Sequence, residues 1–414
     1  MRRTAVSVTG TLSFGVLLIS QLAATTGFMF VIPFLPLYVQ QLGVEDAGHA
    51  AAWAGLLNTA TAVTMALAAP LWGRLGDRYG QKKMLLRATL AGSMMLGLMG
   101  LVTSPWQLLL LRLLQGSLTG TVAAATVLVS ATAPPDKASS RLGTLQTFIF
   151  VASAAGPFVG GVFADLVGIR ASFGVTAALL ATSGLLVLFG VREDEPSRSG
   201  ASEDDASVGR PLPGRRLFPG VLALFVVHLS ITAVYPVLPG FLETIMEEPG
   251  RVASLAGQIL GAGALAAALG SFVGGRLATR VGIWTTVVGA LSLAGLASLP
   301  QAVVSSVAEL FALRLVAAFA LGMVIPVANL AVRAAVPPER QGAAFGVAAS
   351  ATSAAFGLGP LGGGLLASSF SFGVPFLVPG VLLLAASAAL LAFFVVDVPR
   401  YLRLLKLVLA NLIS

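Results

Sequence analysis

Twelve apolar segments, each long enough to cross a bilayer as a helix, leave this chain few folds to choose from. A helix needs roughly 20 mostly apolar residues to span the hydrocarbon layer. Segments of that kind lie near 12–39, 53–73, 84–103, 106–132, 142–164 and 171–191, and again near 217–241, 254–275, 284–304, 307–332, 343–367 and 374–396. The chain is 57% hydrophobic and only 10% charged, where a soluble domain carries about 25% charged residues. The fold class that follows is all-α integral membrane. The first apolar run does not stop at Ala23 and Ala24 but continues to Val39, so it reads as an uncleaved span and not as a signal peptide.

Orientation follows from the basic residues, which collect in cytoplasmic loops. With the N-terminus inside, all of the 25 lysines and arginines except Arg112, Arg170, Arg251 and Arg314 fall on the cytoplasmic side. Both termini are therefore expected in the cytoplasm of a multi-pass protein of the cell membrane. The net charge of +8 is explained by those loops and needs no nucleic-acid partner. The polar stretch 192–216, rich in Pro, Ser, Gly and alternating acids, cannot bury enough apolar area to fold alone. It reads as a cytoplasmic linker between an N-terminal half, 1–191, and a C-terminal half, 217–396. The tail 397–414 spaces Arg400, Arg403 and Lys406 three apart among leucines, the pattern of a basic amphipathic helix on the anionic inner leaflet.

The two halves match at an offset of 202 to 203 residues. Pro33 and Pro36 recur as Pro236 and Pro239, Arg112 as Arg314, and Gly120 as Gly322. Gly73-Arg-Leu-Gly-Asp-Arg-Tyr-Gly80 recurs as Gly275-Arg-Leu-Ala-Thr-Arg-Val-Gly282, and Gly156-Pro157 with Gly160-Gly161 as Gly359-Pro360 with Gly363-Gly364. Six spans per copy give both copies the same orientation, as in parallel repeats related by an axis along the membrane normal. Two such halves can rock about a site near the midplane, which is the geometry of a transporter.

Several polar residues stand out in this apolar background. Arg112 lies inside the fourth span, where a charge costs at least a few kcal/mol unless it faces a cavity or a partner. Gln115 and Thr119 share its helix face, so the three read as lining a central cavity, with an arginine that reaches back to the interface as the alternative. Arg314 is its repeat partner, and Glu309 is close enough in sequence to pair with it. Gln21, Thr25 and His228 add hydrogen-bonding points at similar depths, and Asn58 adds another. His228 is of the residue type whose unperturbed pKa lies near physiological pH, and it reads either as a proton carrier or as a histidine bonded across helices. The run GPFVGG, Gly156 to Gly161, joins small residues at four-residue spacing to Pro157, which suits close helix packing or a bend. No Asp or Glu lies deep in any span, so the cavity favours neutral or anionic amphiphiles over dications.

At this point the residues resemble the major facilitator superfamily over nearly the whole chain. GRLGDRYGQKK at 73–83 is similar to the family's loop between helices two and three. LLLLRLLQGSLTG, with Arg112, Gln115 and Gly116, is similar to its fourth-helix motif. GPFVGG is similar to the fifth-helix motif of the antiporter branches, and FVIPFLP to a motif of twelve-helix drug/proton antiporters. The resemblance implies twelve helices in two six-helix repeats and proton-coupled export of small amphipathic compounds. It implies that Asp77, set among Gly73, Arg74, Arg78 and Gly80, engages a helix of the other half and latches the outward-open state. It associates Arg112 with proton coupling and GPFVGG with gating or the suppression of leak.

The expected partners are the lipid bilayer, a small amphipathic substrate and protons, for a monomer with no cofactor beyond the proton gradient. A lipid flippase or an organic-anion uptake carrier of the same fold is the alternative. An intramembrane enzyme is disfavoured, because the chain has no cysteine and only His49 and His228, and so offers no nucleophile or metal constellation. A membrane sensor lacks its usual mark, a folded output domain.

Overall fold

The computed structural model describes residues 5–134, 137–191, 212–246, 249–337 and 340–413, and all regular structure among them is helical. The first half contains α1 (Ala5–Phe30), α2 (Leu35–Gln41), α3 (Ala47–Tyr79), α4 (Gln81–Met99), α5 (Pro105–Leu118), α6 (Thr121–Thr132), α7 (Ala138–Val167) and α8 (Ile169–Gly190). The second contains α9 (Gly214–Ala233), α10 (Leu238–Ile245), α11 (Val252–Val281), α12 (Ile283–Ser298), α13 (Val307–Ala334), α14 (Gln341–Ser369) and α15 (Val374–Ile413).

The helix boundaries have local causes. Pro33 and Pro36 lack the N–H that a continuous helix needs, and the first span changes to a 3-10 turn at Ile32–Phe34 before α2 resumes. Pro236 and Pro239 stand at the matching change from α9 to α10. Asp46 caps α3 by accepting the His49 N–H at 2.7 Å. Gly80 and Gly282, with φ of 95° in each case, supply the left-handed backbone at the repeated turns α3–α4 and α11–α12.

Eleven of the described helical segments are long and apolar enough to cross a membrane. The remaining expected span, near 84–103, is α4, whose first turns carry Lys82, Lys83 and Arg87 and so shorten its apolar part. It packs along α8, where Ser93 Oγ donates to the Ala177 carbonyl at 2.8 Å. With it the chain has the twelve-helix, two-repeat fold. Large apolar side chains such as Leu67, Phe150, Phe189 and Leu269 are exposed, where a soluble bundle would turn them inward.

Packing repeats as the sequence does. In the first half α1 packs on α7, α3 on α5 and α4 on α8; in the second α9 packs on α14, α11 on α13 and α12 on α15. Polar pairs tie neighbouring spans, as between the Ser20 and Ser183 hydroxyls at 2.8 Å and the Ser292 and Ser387 hydroxyls at 2.8 Å. The linker falls mainly on 192–211, outside the described residues. The tail is not a separate helix, because the backbone of α15 runs unbroken from Val374 to Ile413; its side chains lie outside the described residues.

Candidate functional site

The halves meet along two seams, α3 with α14 and α7 with α11. GPFVGG sits where α7 touches both its own half and the other. A side chain at Gly156 would press on Met29 and the Thr26 carbonyl, and one at Gly160 on the Phe30 backbone. Gly161 faces the Ala253 carbonyl, and Gly257 faces that of Pro157. α7 nevertheless remains one helix through Pro157. On the second seam Gly55 abuts the Pro360 carbonyl and Gly364 that of Ala51. Small residues at these positions let the two backbones touch.

Among the described residues these contacts lie at one end only. Among the described residues, hydrogen bonds between the halves run from Gln40 Nε2 to Glu243 Oε2 at 3.4 Å, from Thr59 Oγ1 to the Gly357 carbonyl, and from the Ser254 N–H to Asp165 Oδ2 at 2.7 Å, with Ser254 Oγ reaching the Gly161 carbonyl at 3.5 Å. Asp165 thereby sits on the positive N-terminus of α11, a placement typically worth 0.3–1 kcal/mol. Toward the end that carries the basic loops the same stripes come apart. The α3 face holding Gly48, Gly55 and Thr59 continues through Val63, Ala66 and Pro70, all exposed. The α11 face of Ala253, Gly257 and Gly261 continues through Leu265, Ala268 and Phe272, also exposed. The halves are thus sealed at one end and splayed at the basic end.

At the basic end, Asp77 lies in the last turns of α3 and not in a loop, and its side chain lies outside the described residues. Arg74 and Arg78 are exposed, and the Arg78 guanidinium is 5.3 Å from the Tyr79 ring. Gly73 has open space beside it, and Gly80 forms the turn.

In the interior, Arg112, Gln115 and Thr119 form one bonded series on a single face of α5. Arg112 Nη1 donates to Gln115 Oε1 at 3.3 Å, and Thr119 Oγ1 donates to the Gln115 carbonyl at 2.8 Å. Arg112 is only 7% exposed, and its Nε has no partner. Thr61 of α3 donates to the Arg112 carbonyl at 3.3 Å, and Asn58, one turn earlier on α3, is half-buried. Just beyond Thr119 the fourth span breaks: Gly120 takes φ of 123°, and α6 starts afresh at Thr121. Nothing in the apolar pattern announces this break, since no proline is present. Gln21 and Thr25 on α1 are buried, and Gln21 Nε2 and Oε1 and Thr25 Oγ1 have no hydrogen-bond partner.

Two sequence expectations change in the second half. His228 does not bond across helices: its Nδ1–H donates to the Leu224 carbonyl of its own helix at 2.8 Å, with the ring against Phe356. Glu309 does not pair with Arg314. It serves the start of α13, where its N–H donates to the N-cap Ser306 Oγ at 3.2 Å and its Oε2 accepts the N–H of Ser305, the residue before the cap, at 3.3 Å. Arg314 is 8% exposed and lies within electrostatic reach of the Tyr235 hydroxyl. The contact of Asp165 with α11 was not legible, because an acid near a span end reveals nothing about which helix it meets.

Comparison with known proteins places this architecture. The Major Facilitator Superfamily model matches residues 17–307 and 220–408. The chain is 32% identical over 351 residues to the multidrug resistance protein MdtG of Proteus mirabilis, covering 84% of this chain and 87% of that one. It is 31% identical over 349 residues to a multi-drug resistance efflux pump PmrA homolog of Lactococcus lactis, covering 84% and 86%. Among solved structures the nucleoside transporter NupG superposes with a TM-score of 0.72 at 14% identity, covering 92% of this chain and 100% of that one. A bacterial homolog of the human lysosomal transporter Spinster superposes at 0.69 and 17% identity, covering 94% and 96%. Sequence, internal repeat and superposition converge, and the chain belongs to the Major Facilitator Superfamily.

Proposed function

We propose that this protein is a secondary active exporter of small amphipathic compounds, driven by proton antiport, whose two halves rock about a midplane cavity. The observation that carries the reading is the pair of seams, closed by glycine-to-backbone contact at one end and parted at the basic end. A transporter needs such an arrangement, and its inverse, to expose one site alternately to each side. The relatives named for multidrug resistance support export as the direction. With the basic loops in the cytoplasm, the splayed arrangement is the inward-open state.

In this reading Asp77 with Gly73, Arg74, Arg78 and Gly80 latches the opposite, outward-open state. GPFVGG forms the hinge surface against α11, and Arg112 couples protons to substrate. Gln21, Thr25, Asn58, Gln115 and Thr119 line the cavity from the first half, and His228 and Arg314 from the second. The protein works as a monomer in the bilayer and needs no cofactor beyond the proton gradient.

The test uses everted vesicles energised to an acid interior, to which cationic, neutral and anionic amphiphiles are added while a fluorescent probe follows the pH gradient. Substrate-dependent collapse that is absent from vesicles lacking the protein is the expected result. Silence from every class removes the antiport reading and favours a flippase or an uptake carrier.

A further inference from the structure

The break in the fourth span leaves an imbalance of hydrogen-bonding groups in the membrane interior. On the α5 side two of the last carbonyls are taken. That of Gln115 accepts from the Thr119 N–H at 2.9 Å, and that of Ser117 accepts from Trp72 Nε1 at 2.6 Å. On the α6 side the donors are free. The Ala124 N–H is the first to find an intrahelical acceptor, the Gly120 carbonyl at 3.2 Å, and the N–H groups of Thr121, Val122 and Ala123 have no acceptor among the described residues. Backbone donors left open at membrane depth are tolerated only where they line a cavity or meet a ligand. A half-helix N-terminus there also carries the positive end of the helix dipole.

A second, independent feature points to the same place. Gln21 is fully buried with both amide atoms unpartnered, and Thr25, one turn on, has a buried, unpartnered hydroxyl. Leu17 and Leu18 share a buried cluster with Ala124, Ala125 and Leu128 of α6, and α1 contacts α6. The two helices run antiparallel, being the first and fourth spans. Gln21 lies one turn past Leu17 on the same face, so it is level with the first turn of α6, and Thr25 is level with Thr119. Arg112 adds the charge: its bond to Gln115 directs the guanidinium along α5 toward the break, and no carboxylate pairs with it among the described residues. Space is available, because a side chain at Gly120 would have no atom within 4 Å.

We propose that the α5–α6 break is an oxyanion site that holds the carboxylate head of an amphipathic substrate. The N–H groups of Thr121, Val122 and Ala123 and the Gln21 amide donate to the carboxylate, Thr25 orients the Gln21 side, and Arg112 supplies the positive field. The substrate's apolar tail lies along the cavity. The site itself stands on geometry; that its occupant is cargo rests on the export reading.

The experiment measures binding of laurate and of lauryl trimethylammonium to the full-length protein in lipid nanodiscs, with empty nanodiscs subtracted. Laurate binds and the cation binds more weakly. Gln21→Leu weakens laurate about tenfold, the effect of losing a hydrogen bond to a charged group. Gln21→Glu keeps the shape and reverses the preference toward the cation. Thr25→Val, which carries no risk of a buried charge, weakens laurate by a smaller factor. Unchanged laurate affinity in Gln21→Leu and Thr25→Val, or tighter binding of the cation to the unaltered protein, overturns the proposal. Specific laurate binding without transport of any amphiphile upholds the site and removes the exporter. Transport of cations by a protein that does not bind laurate removes the site and leaves the exporter standing.

Discussion

In the first half the fourth span breaks at Thr119–Gly120, whereas at the same repeat position in the second half α13 runs unbroken through Gly322. Both copies keep glycine, for different reasons. Gly120 has the positive φ and open space around it, while a side chain at Gly322 would run into the backbone of Ala267. The polar interior diverges in the same way. Gln21 and Thr25 are unsatisfied, but at the repeat-matched positions stand apolar Leu224 and His228, the latter bonded to its own helix, and Thr232 next to them bonds the carbonyls of His228 and Ala355. Arg112 has an unpartnered Nε, while Arg314 has Tyr235 nearby. Helix packing has kept its twofold repeat and the polar groups have not. Among the described residues the buried unpartnered side-chain atoms gather in the first half, on Gln21, Thr25, Arg87 and Arg112, and in the second half only Gln301 Oε1 is left so.

The largest expected effect tests that division at the two arginines. Arg112→Ala should cut gradient-driven transport by about a hundredfold while downhill exchange persists, since hydrogen bonds to a charged group are worth about 1.5–3 kcal/mol. Arg314→Ala should cost about tenfold or less in the same everted-vesicle assay. Equal losses from the two substitutions would break the comparison and make both arginines structural.

The two glycines come next. Gly322→Ala should destabilise the protein by about 1–3 kcal/mol through overpacking against α11, read as a lower melting temperature in detergent. Gly120→Ala meets no neighbour, so its cost is backbone strain of about 1–3 kcal/mol, which is relieved if the span straightens. Laurate binding should then fall more than thermal stability. A Gly120→Ala protein that melts earlier yet binds laurate normally would show that the break serves folding alone.

The positions of the spans, the repeat and the GPFVGG seam were legible in the sequence because apolarity, proline and small-residue spacing act locally. What could not be read was relational. Gly120 is one of 47 glycines, and only its neighbours' geometry separates it from those that serve packing. Glu309 has the same spacing whether it caps α13 or pairs with Arg314, and its bonds to Ser306 and Ser305 decide in favour of the helix end. Asp165 gained a partner only once α11 was brought beside it.

A smaller effect is expected at the repeated loop. Asp77→Asn should slow transport about fivefold, the scale of a carboxylate lost from a helix terminus, with unchanged yield of folded protein. Thr279→Val, at the matching position, should change nothing measurable. Unchanged rates in Asp77→Asn would remove the latch and make the two loops equivalent.

The smallest effect concerns pH at the sealed end. Burial raises the Glu243 carboxyl above the ordinary carboxylate range, opposed by the hydrogen bond from Gln40. A raised value means that the sealed arrangement holds its proton more tightly than one in which Glu243 is free in water. Sealing is therefore linked to proton uptake. It is favoured at low pH and penalised as pH rises from the ordinary carboxylate value through the raised one. Spin labels at Thr103→Cys and Val303→Cys, exposed loop positions of the two halves at this end, can follow it directly, since the chain has no other cysteine. The short-distance population should grow by no more than a few-fold on acidification, and Glu243→Gln should abolish the dependence. Persistence of the pH response in Glu243→Gln would remove Glu243 as the sensor and leave its contact with Gln40 as packing between the halves.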